Sequence, residues 1–362
     1  MSTLAAPAHT RALASESLEQ TLERIVGRAG ELDHRPRFPT ENFTDLASAG
    51  ALTPPPGGLA GEARLVRAVA AADASTARIL DGHLNGIERL TLACPQPLRA
   101  SELKRIGEDR LLLGVWGADP APGEGAPARL HDRDGQLVLR GVKTFCSGAG
   151  GVQRALVIAA DQDGSRRLVY LDTTSQVSID RGWYRASGLR ASESHRVEFE
   201  DTPVLALLGE PGELSREPYF SRDAIRTSAT WAGLADRILT ETILALDPAR
   251  VDHVQAHSVG RMRIAQSTID RWLEHTTTSL DPAADADPTV DPATLAVECR
   301  VALYENAQLI SAQAARVCGS RALIGASILD RARRDLDLFL LQHRLDPKLA
   351  KLGAGLLDTE RS

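Results

Sequence analysis

Two histidines are the side chains of this sequence best suited to proton transfer, because an imidazole gains or loses a proton near neutral pH. His83 lies in ADASTARILDGHLNG, at the end of a helical pattern rich in small residues, and His343 follows RRDLDLFLLQ. Each also has a structural interpretation. His83 suits a cation that satisfies carbonyls at a helix C-terminus, and His343 suits a polar tip on a helix.

The cysteines and the common motifs exclude several other chemistries. No two of the four cysteines stand in a CxxC pair, so we expect free thiols and no metal site. The sequence contains no GxGxxG after a strand, no GxxxxGK[ST], no HExxH and no GxSxG. A classical dinucleotide fold, a P-loop and the common hydrolases are therefore unsupported.

Composition limits the possible partners. The chain has 362 residues, a net charge of −6 and only 4% aromatic residues. Mild acidity argues against a dedicated nucleic-acid binder. No apolar run approaches the ~20 residues of a membrane span. The first residues lack a basic start followed by an apolar core, so we expect no signal peptide and a cytoplasmic location.

The elements that must position these residues fall into three regions. Residues 1–110 have helical spacing, with a helix start at Thr40 and a long Ala- and Leu-rich helix that breaks at Cys94-Pro95. Residues 111–210 form short β-branched runs, and Asp134-Gly135 indicates a hairpin.

Residues 211–362 return to a helical pattern, with four long amphipathic segments. An acidic, proline-rich stretch between the second and the third indicates a solvated connection. The prediction is an α+β protein with helices, then a β domain, then an up-and-down helical bundle.

Four local motifs follow one another in this framework: LLGVWGADP, LRGVKTFCSGAGGVQRALVIA, RASGLRASESHRVEFEDTPV and RRDLDLFLLQH. Their types and order resemble the acyl-CoA dehydrogenase superfamily of flavoproteins, over nearly the whole chain. The resemblance implies an acyl-CoA dehydrogenase-like fold, with an N-terminal helical domain, a central β-barrel-like domain and a C-terminal four-helix bundle.

The resemblance also implies a flavin, FAD or alternatively FMN. A flavin needs apolar or aromatic faces, hydrogen-bond donors at its edge and glycines or helix ends at its phosphates. The residues that the motifs assign to these roles are Trp116, Gly117, Phe145, Ser147, Gly319 and Arg321. On the alternative interpretation, Trp116 and Phe145 fill the β core and Ser147 caps a turn.

The position of the catalytic base departs from the dehydrogenase pattern. Those enzymes use a glutamate, but the matching position here is His343 or its neighbour Gln342, and the other known location falls near Ile225. A dehydrogenase acting on an acyl-CoA-like or other small molecule would therefore use His343 as base.

KTFCSGA and His83 are more similar to the dibenzothiophene monooxygenase-like branch. There, His83 and His343 would attend a flavin C4a-hydroperoxide formed from reduced flavin and O2, and a flavin reductase would be a partner. A catalytically degenerate family member is the third alternative.

The expected diphosphate site is irregular as well. Val259-Gly260 stands where the family has Phe-Gly, and Ala256 stands where it has an arginine. Bound FMN would need less of this contact than FAD.

The resemblance further implies a homo-oligomer, a dimer or a tetramer. The identity of the small-molecule substrate does not follow from any residue in the sequence.

Overall fold

The computed structural model describes residues 17–281, 290–324, 327–342 and 344–359, and its elements run in the predicted order of helices, strands and helices. The N-terminal helices are α1 Leu18–His34, α2 Thr40–Ser48, α3 Gly58–Ala72, α4 Ala74–Ala93 and α5 Leu98–Glu108. The strands are β1 Leu113–Trp116, β2 Arg129–Arg133, β3 Gln136–Cys146, β4 Arg154–Ala160, β5 Arg166–Asp172, β6 Val177–Asp180 and β7 His195–Leu208. The C-terminal helices are α6 Tyr219–Leu244, α7 His253–Ser279, α8 Pro292–Cys318, α9 Ile328–Leu340 and α10 Asp346–Thr359.

The N-terminal region differs from its prediction at one point. The sequence reads as one helix up to Cys94, but the chain breaks at Asp73 into α3 and α4. Asp73 is extended, and its carboxylate accepts hydrogen bonds from the Thr76 backbone N (2.8 Å) and hydroxyl (2.6 Å). An N-cap of this kind satisfies the free N–H groups that start a new helix.

The β region closes into a barrel. β4, β2, β3, β7 and β5 are paired in that order, and β5 pairs back to β4, while β1 and β6 flank the ring. Arg133 and Gln136 are partners across the predicted Asp134-Gly135 turn, where both turn residues have positive φ. This is the two-residue hairpin geometry that suits Asp-Gly.

The C-terminal helices pack around Trp231 on α6, which is fully buried. α6 contacts α7, α8 and α9, and α7 packs along α8. A further helix, α10, follows the four predicted helices and contacts α8.

The β barrel is fastened to α9 at a point of backbone contact. A Cβ on Gly188 would lie 2.3 Å from the backbone O of Arg334, so only glycine fits there. Asp335 accepts a hydrogen bond from the Leu189 N–H at 2.6 Å, and Arg334 donates to the Ser187 carbonyl. The RRDLDLFLLQH motif on α9 therefore contacts the RASGLRASESHRVEFEDTPV motif directly.

In the part of the chain that the structure describes, no helix has the length and apolarity to cross a membrane. No cluster of three or more His, Cys, Asp or Glu side chains is placed to hold a metal ion among these residues.

Candidate functional site

A cavity of about 610 Å³ lies between the β barrel and the C-terminal end of α9, and we call it the main cavity. Its size is in the range of small-molecule and cofactor sites. It is lined by Arg78, Ala118, Phe145, Ser147, Trp183, Tyr184, Arg185, Ala186, Leu189, Ser194, Leu338, Phe339, Leu341 and Gln342. The loop fastened to α9 at Gly188 forms part of this wall, so the docking of barrel on helix shapes the cavity.

Two aromatic rings form one wall. Phe145 is 55% exposed although it is a large apolar residue, and its ring lies edge-to-face with Trp183 at 4.9 Å between centroids. The Trp183 indole N–H donates to Glu124 at 3.0 Å, which fixes its orientation. Phe145 has φ of +51°, a costly conformation for a bulky residue. An exposed ring held under strain at a cavity indicates a binding surface.

Hydroxyl groups form a chain beside the rings. The Ser147 and Ser194 oxygens are 2.8 Å apart, and Ser194 is also 2.8 Å from Ser192. The Tyr184 hydroxyl donates to the Gly188 carbonyl at 3.4 Å, and burial raises the pKa of Tyr184. These groups present donors and acceptors to a ligand, and Tyr184 keeps its proton at neutral pH.

Cations gather on the other side. Arg78 pairs with the fully buried Asp81 at 3.1 Å and lies 5.8 Å from the Phe339 ring centroid. Arg185 lines both the main cavity and an adjoining cavity of about 580 Å³, which Arg190 and Arg334 also line. The described residues contain no ion-pair partner for Arg190, so its charge is available to an anion.

A buried histidine lies behind this wall. His195 Nε2 is 3.2 Å from a Glu193 carboxylate oxygen, but neither ring nitrogen makes a hydrogen bond among the described residues. The His195 ring also meets Tyr184 edge-on at 6.3 Å. Glu193 has positive φ and accepts from Arg181 at 2.8 Å.

Of the residues predicted to bind a cofactor, Phe145 and Ser147 line the main cavity, and Trp116 and Gly117 are not among its lining residues. Trp116 is 1% exposed and lies 6.4 Å from Phe199 in the barrel core. Its indole N–H donates to the Ser147 carbonyl at 3.0 Å. Trp116 therefore supports the backbone of a cavity residue from behind.

Gly319, predicted to lie at the phosphates, is not among the lining residues of the main cavity. Gly319 ends α8 with φ of +64°, and a Cβ there would meet no atom within 4 Å. The side chain of Arg321 lies outside the described residues. Neither Val259 nor Gly260 lines the main cavity, since both are on α7.

His83 has no free nitrogen for proton transfer. It is fully buried, its Nδ1 accepts from the Leu113 N–H at 3.1 Å, and its Nε2 lies 2.8 Å from the Leu52 carbonyl. With Nδ1 as acceptor, the proton is on Nε2 and is donated to Leu52. Burial lowers the pKa of His83 to about 4. This geometry argues against the predicted catalytic role and for a structural one.

His343 lies outside the described residues, while its neighbour Gln342 lines the main cavity. Asp337, the carboxylate of α9 that is nearest to His343 along the chain, is not among the lining residues of the main cavity. No described residue that lines the main cavity is an aspartate or a glutamate. The described wall therefore lacks a carboxylate base.

Sequence reasoning missed Arg78, Trp183, Tyr184, Ser194 and Phe339. Two signals were available. Trp183 is one of only four tryptophans, and Ser194 lies inside the quoted motif RASGLRASESHRVEF. Arg78 and Phe339 also lie in named stretches, ADASTARILDGHLNG and RRDLDLFLLQH. Nothing in the sequence showed that these two side chains reach the cavity, because tertiary packing alone brings α4 and α9 to the barrel.

Comparisons with known proteins give structural matches only. No protein-family model matches the chain, and no curated protein matches it by sequence. The methanesulfinate monooxygenase MsuC from Pseudomonas fluorescens superposes with a TM-score of 0.80 at 22% identity, covering 95% of this chain and 97% of MsuC. FMN-bound TdsC, a dibenzothiophene monooxygenase from Paenibacillus sp. A11-2, superposes with a TM-score of 0.84 at 16% identity, covering 94% and 96%.

A third neighbour is KijD3 in complex with FMN and a dTDP-linked amino sugar. Its TM-score is 0.79 at 20% identity, and the match covers 93% of this chain and 92% of KijD3. These neighbours share the acyl-CoA dehydrogenase-like fold, and the chain has that fold, as its sequence predicted.

Proposed function

We propose that this chain is a flavin-dependent monooxygenase that binds reduced FMN in the main cavity and uses O2 to oxidise a small-molecule substrate. One observation carries the proposal. The main cavity combines aromatic rings, hydroxyls and guanidinium groups, and its described lining contains no carboxylate. Proton abstraction next to a thioester carbonyl needs a base, which in the dehydrogenases is a glutamate, so the described wall supports oxygenation better than desaturation.

The residues present fit a flavin. Phe145 and Trp183 offer apolar faces to a flat ring, and the Ser147 and Ser194 hydroxyls offer hydrogen bonds to its polar edge. Arg185 and Arg190, which has no ion-pair partner among the described residues, suit a phosphate, since guanidinium groups bind such anions by paired hydrogen bonds. Contact between the Phe145 ring and the flavin would offset the strain of the positive φ at Phe145.

When bound, the reduced flavin supplies the electrons that activate O2. The chain's own groups supply the surroundings: Leu338 and Phe339 exclude water, and Tyr184 holds a proton at its phenolic oxygen. His343, which directly follows Gln342, stays our proposed proton-transfer residue.

Other parts of the proposal rest on the neighbours. MsuC and TdsC are monooxygenases, and TdsC and KijD3 bind FMN, which supports FMN over FAD. A flavin reductase would then deliver the reduced cofactor. We also propose a cytoplasmic location, which suits a reductase partner.

The test is flavin binding by the purified full chain. We expect FMN to bind with quenched fluorescence and to bind more tightly than FAD. Trp183→Ala should weaken FMN binding by up to about tenfold, since it removes a ring contact worth roughly 0.5–1.5 kcal/mol beyond the area it buries. Trp272→Ala, a matched change on α7 away from the lining, should leave it unchanged.

Two outcomes would overturn the proposal. No saturable binding of oxidised or reduced flavin would remove the cofactor from this cavity. Anaerobic bleaching of bound oxidised flavin by an acyl-CoA would establish dehydrogenation in place of oxygenation.

A further inference from the structure

A second cavity, of about 650 Å³, lies between α6, α8 and α10, and we call it the bundle cavity. None of its lining residues lines the main cavity. Phe220, Val297, Leu352 and Leu356 give it an apolar wall. The function proposed above makes no use of it.

Arg300 is the unusual residue of the bundle cavity. It is only 3% exposed, and its Nε and Nη2 atoms have no hydrogen-bond partner among the described residues. Its guanidinium lies over the Trp231 ring at 5.1 Å. Burial lowers the pKa of Arg300 to about 10, so the group is still charged at neutral pH. A buried charge without a partner is costly, and protein folds ordinarily pair it.

Two lysines add to this charge. Lys348 and Lys351 line the same cavity, and burial together with the charge of Arg300 lowers the pKa of Lys348 against the opposing charge of Glu217. The Lys348 ammonium also lies 5.8 Å from the Phe220 ring centroid. Like charges brought together beside an apolar wall favour the binding of an anion.

The two carboxylates of the lining do not neutralise Arg300. Glu217 accepts from the Ser221 N–H at 3.1 Å, and Asp291 accepts from the Thr294 N–H at 3.0 Å. Each therefore accepts a backbone N–H from the first turn of a helix, Glu217 from α6 and Asp291 from α8. Three cations and two carboxylates leave the lining one positive charge in excess, which matches a monoanion.

We propose that the bundle cavity is a binding site for a medium-chain organic carboxylate. The carboxylate pairs with Arg300 and Lys348, and the hydrocarbon chain packs against Phe220, Val297 and Leu352. A guanidinium binds a carboxylate through charge-assisted hydrogen bonds, so a carboxylate in this cavity would offset the buried charge of Arg300. This site is separate from the flavin chemistry and does not depend on it.

The test is calorimetric titration of the full chain with sodium octanoate, with n-octanol and inorganic phosphate as comparison ligands. We expect saturable binding of octanoate alone. Arg300→Met should weaken it by about tenfold or more. The same variant should melt at a higher temperature than the parent without ligand, since an unpaired buried charge is replaced by an apolar chain of similar length.

Lys348→Gln keeps the proposal testable if Arg300→Met fails to fold. It should weaken octanoate binding several-fold, whereas Lys104→Gln, an exposed change on α5, should not. Equal binding of octanol would show that the cations play no part, and equal binding of phosphate would show that the apolar wall plays none. Either result overturns the proposal, as does no octanoate binding at millimolar concentration.

Discussion

At the scale of single residues, His83 joins three segments of the chain through one imidazole. It lies on α4, receives the N–H of Leu113 at the start of β1, and donates to Leu52 in the loop after α2. Burial keeps the His83 ring neutral, so the contribution of His83 is to hold these segments together. An alanine there would leave a buried donor and a buried acceptor unsatisfied, at a cost of about 1–3 kcal/mol each.

The low pKa of His83 predicts acid sensitivity. The unfolded chain binds a proton at this site below about pH 6.5, whereas the folded chain binds one only near pH 4. Stability from neutral His83 is therefore complete above pH 6.5 and is lost as the pH falls towards 4, by at most about 1.4 kcal/mol per pH unit. We expect His83→Gln to be less stable than the parent at pH 8, with a difference that shrinks by pH 5 in urea unfolding.

The exposed His131 on β2 provides the control. His131→Gln should change the free energy of unfolding by no more than about 0.5 kcal/mol at either pH 8 or pH 5. Turnover separates the two roles of His83. If His83→Gln stays folded at pH 8 yet loses turnover by about a hundredfold, the catalytic assignment made from the sequence stands after all.

At the scale of elements, the contact between α9 and the loop at Gly188 determines the shape of the main cavity. There is no room for a Cβ, because the Arg334 carbonyl occupies its place. Gly188→Ala should therefore push the loop away from α9, destabilise the fold by about 2 kcal/mol or more and weaken FMN binding. Gly107→Ala in α5 meets no atom within 4 Å and should slightly stabilise the chain. Chemical unfolding and FMN titration measure both effects, and equal behaviour of the two variants would disprove this account.

Asp335, in the contact between α9 and the Gly188 loop, gives the free energy of unfolding a pH dependence opposite in sign to that from His83. Burial raises the pKa of Asp335 to about 7, although the Leu189 N–H stabilises the carboxylate. Between about pH 4 and 7 the folded chain holds a proton that the unfolded chain has lost, so this group makes stability fall as the pH rises. We expect Asp335→Asn, which still accepts from Leu189, to be more stable than the parent at pH 8 and nearly equal at pH 5. A parent more stable than the variant at pH 8 would show that ionised Asp335 is well paired.

At the scale of the whole molecule, α6 joins the N-terminal helices to the bundle. Arg226 on α6 is fully buried and pairs with Glu62 at 2.7 Å, Glu88 at 3.0 Å and Asp223 at 3.2 Å. Breaking such a network is strongly destabilising, since it leaves charges buried without partners. The two helical regions are therefore energetically coupled through α3, α4 and α6.

Gly233 tests this coupling. A Cβ there would lie 2.2 Å from the Arg67 carbonyl on α3, so Gly233→Ala should separate α3 from α6 and cost about 2 kcal/mol or more. Gly260→Ala on α7 has no atom within 4 Å and should cost nothing. We expect one cooperative transition at lower denaturant for Gly233→Ala by circular dichroism, and unchanged stability would show that α3 shifts without loss.

The homo-oligomer, dimer or tetramer, stays a prediction for sedimentation velocity.

The amino-acid sequence by itself determined the order of elements and the hairpin at Asp134-Gly135, because periodicity and turn chemistry are local. The resemblance carried by the four motifs implied the acyl-CoA dehydrogenase-like fold. It also singled out Phe145 and Ser147, which line the main cavity. Only the tertiary structure decided that Trp116 and His83 are buried, that Trp183 and Arg78 reach the same cavity, and that the buried Nε and Nη2 of Arg300 have no hydrogen-bond partner among the described residues. Spacing along a chain specifies which face of an element a side chain occupies, whereas burial and hydrogen-bond partners depend on what packs against that face.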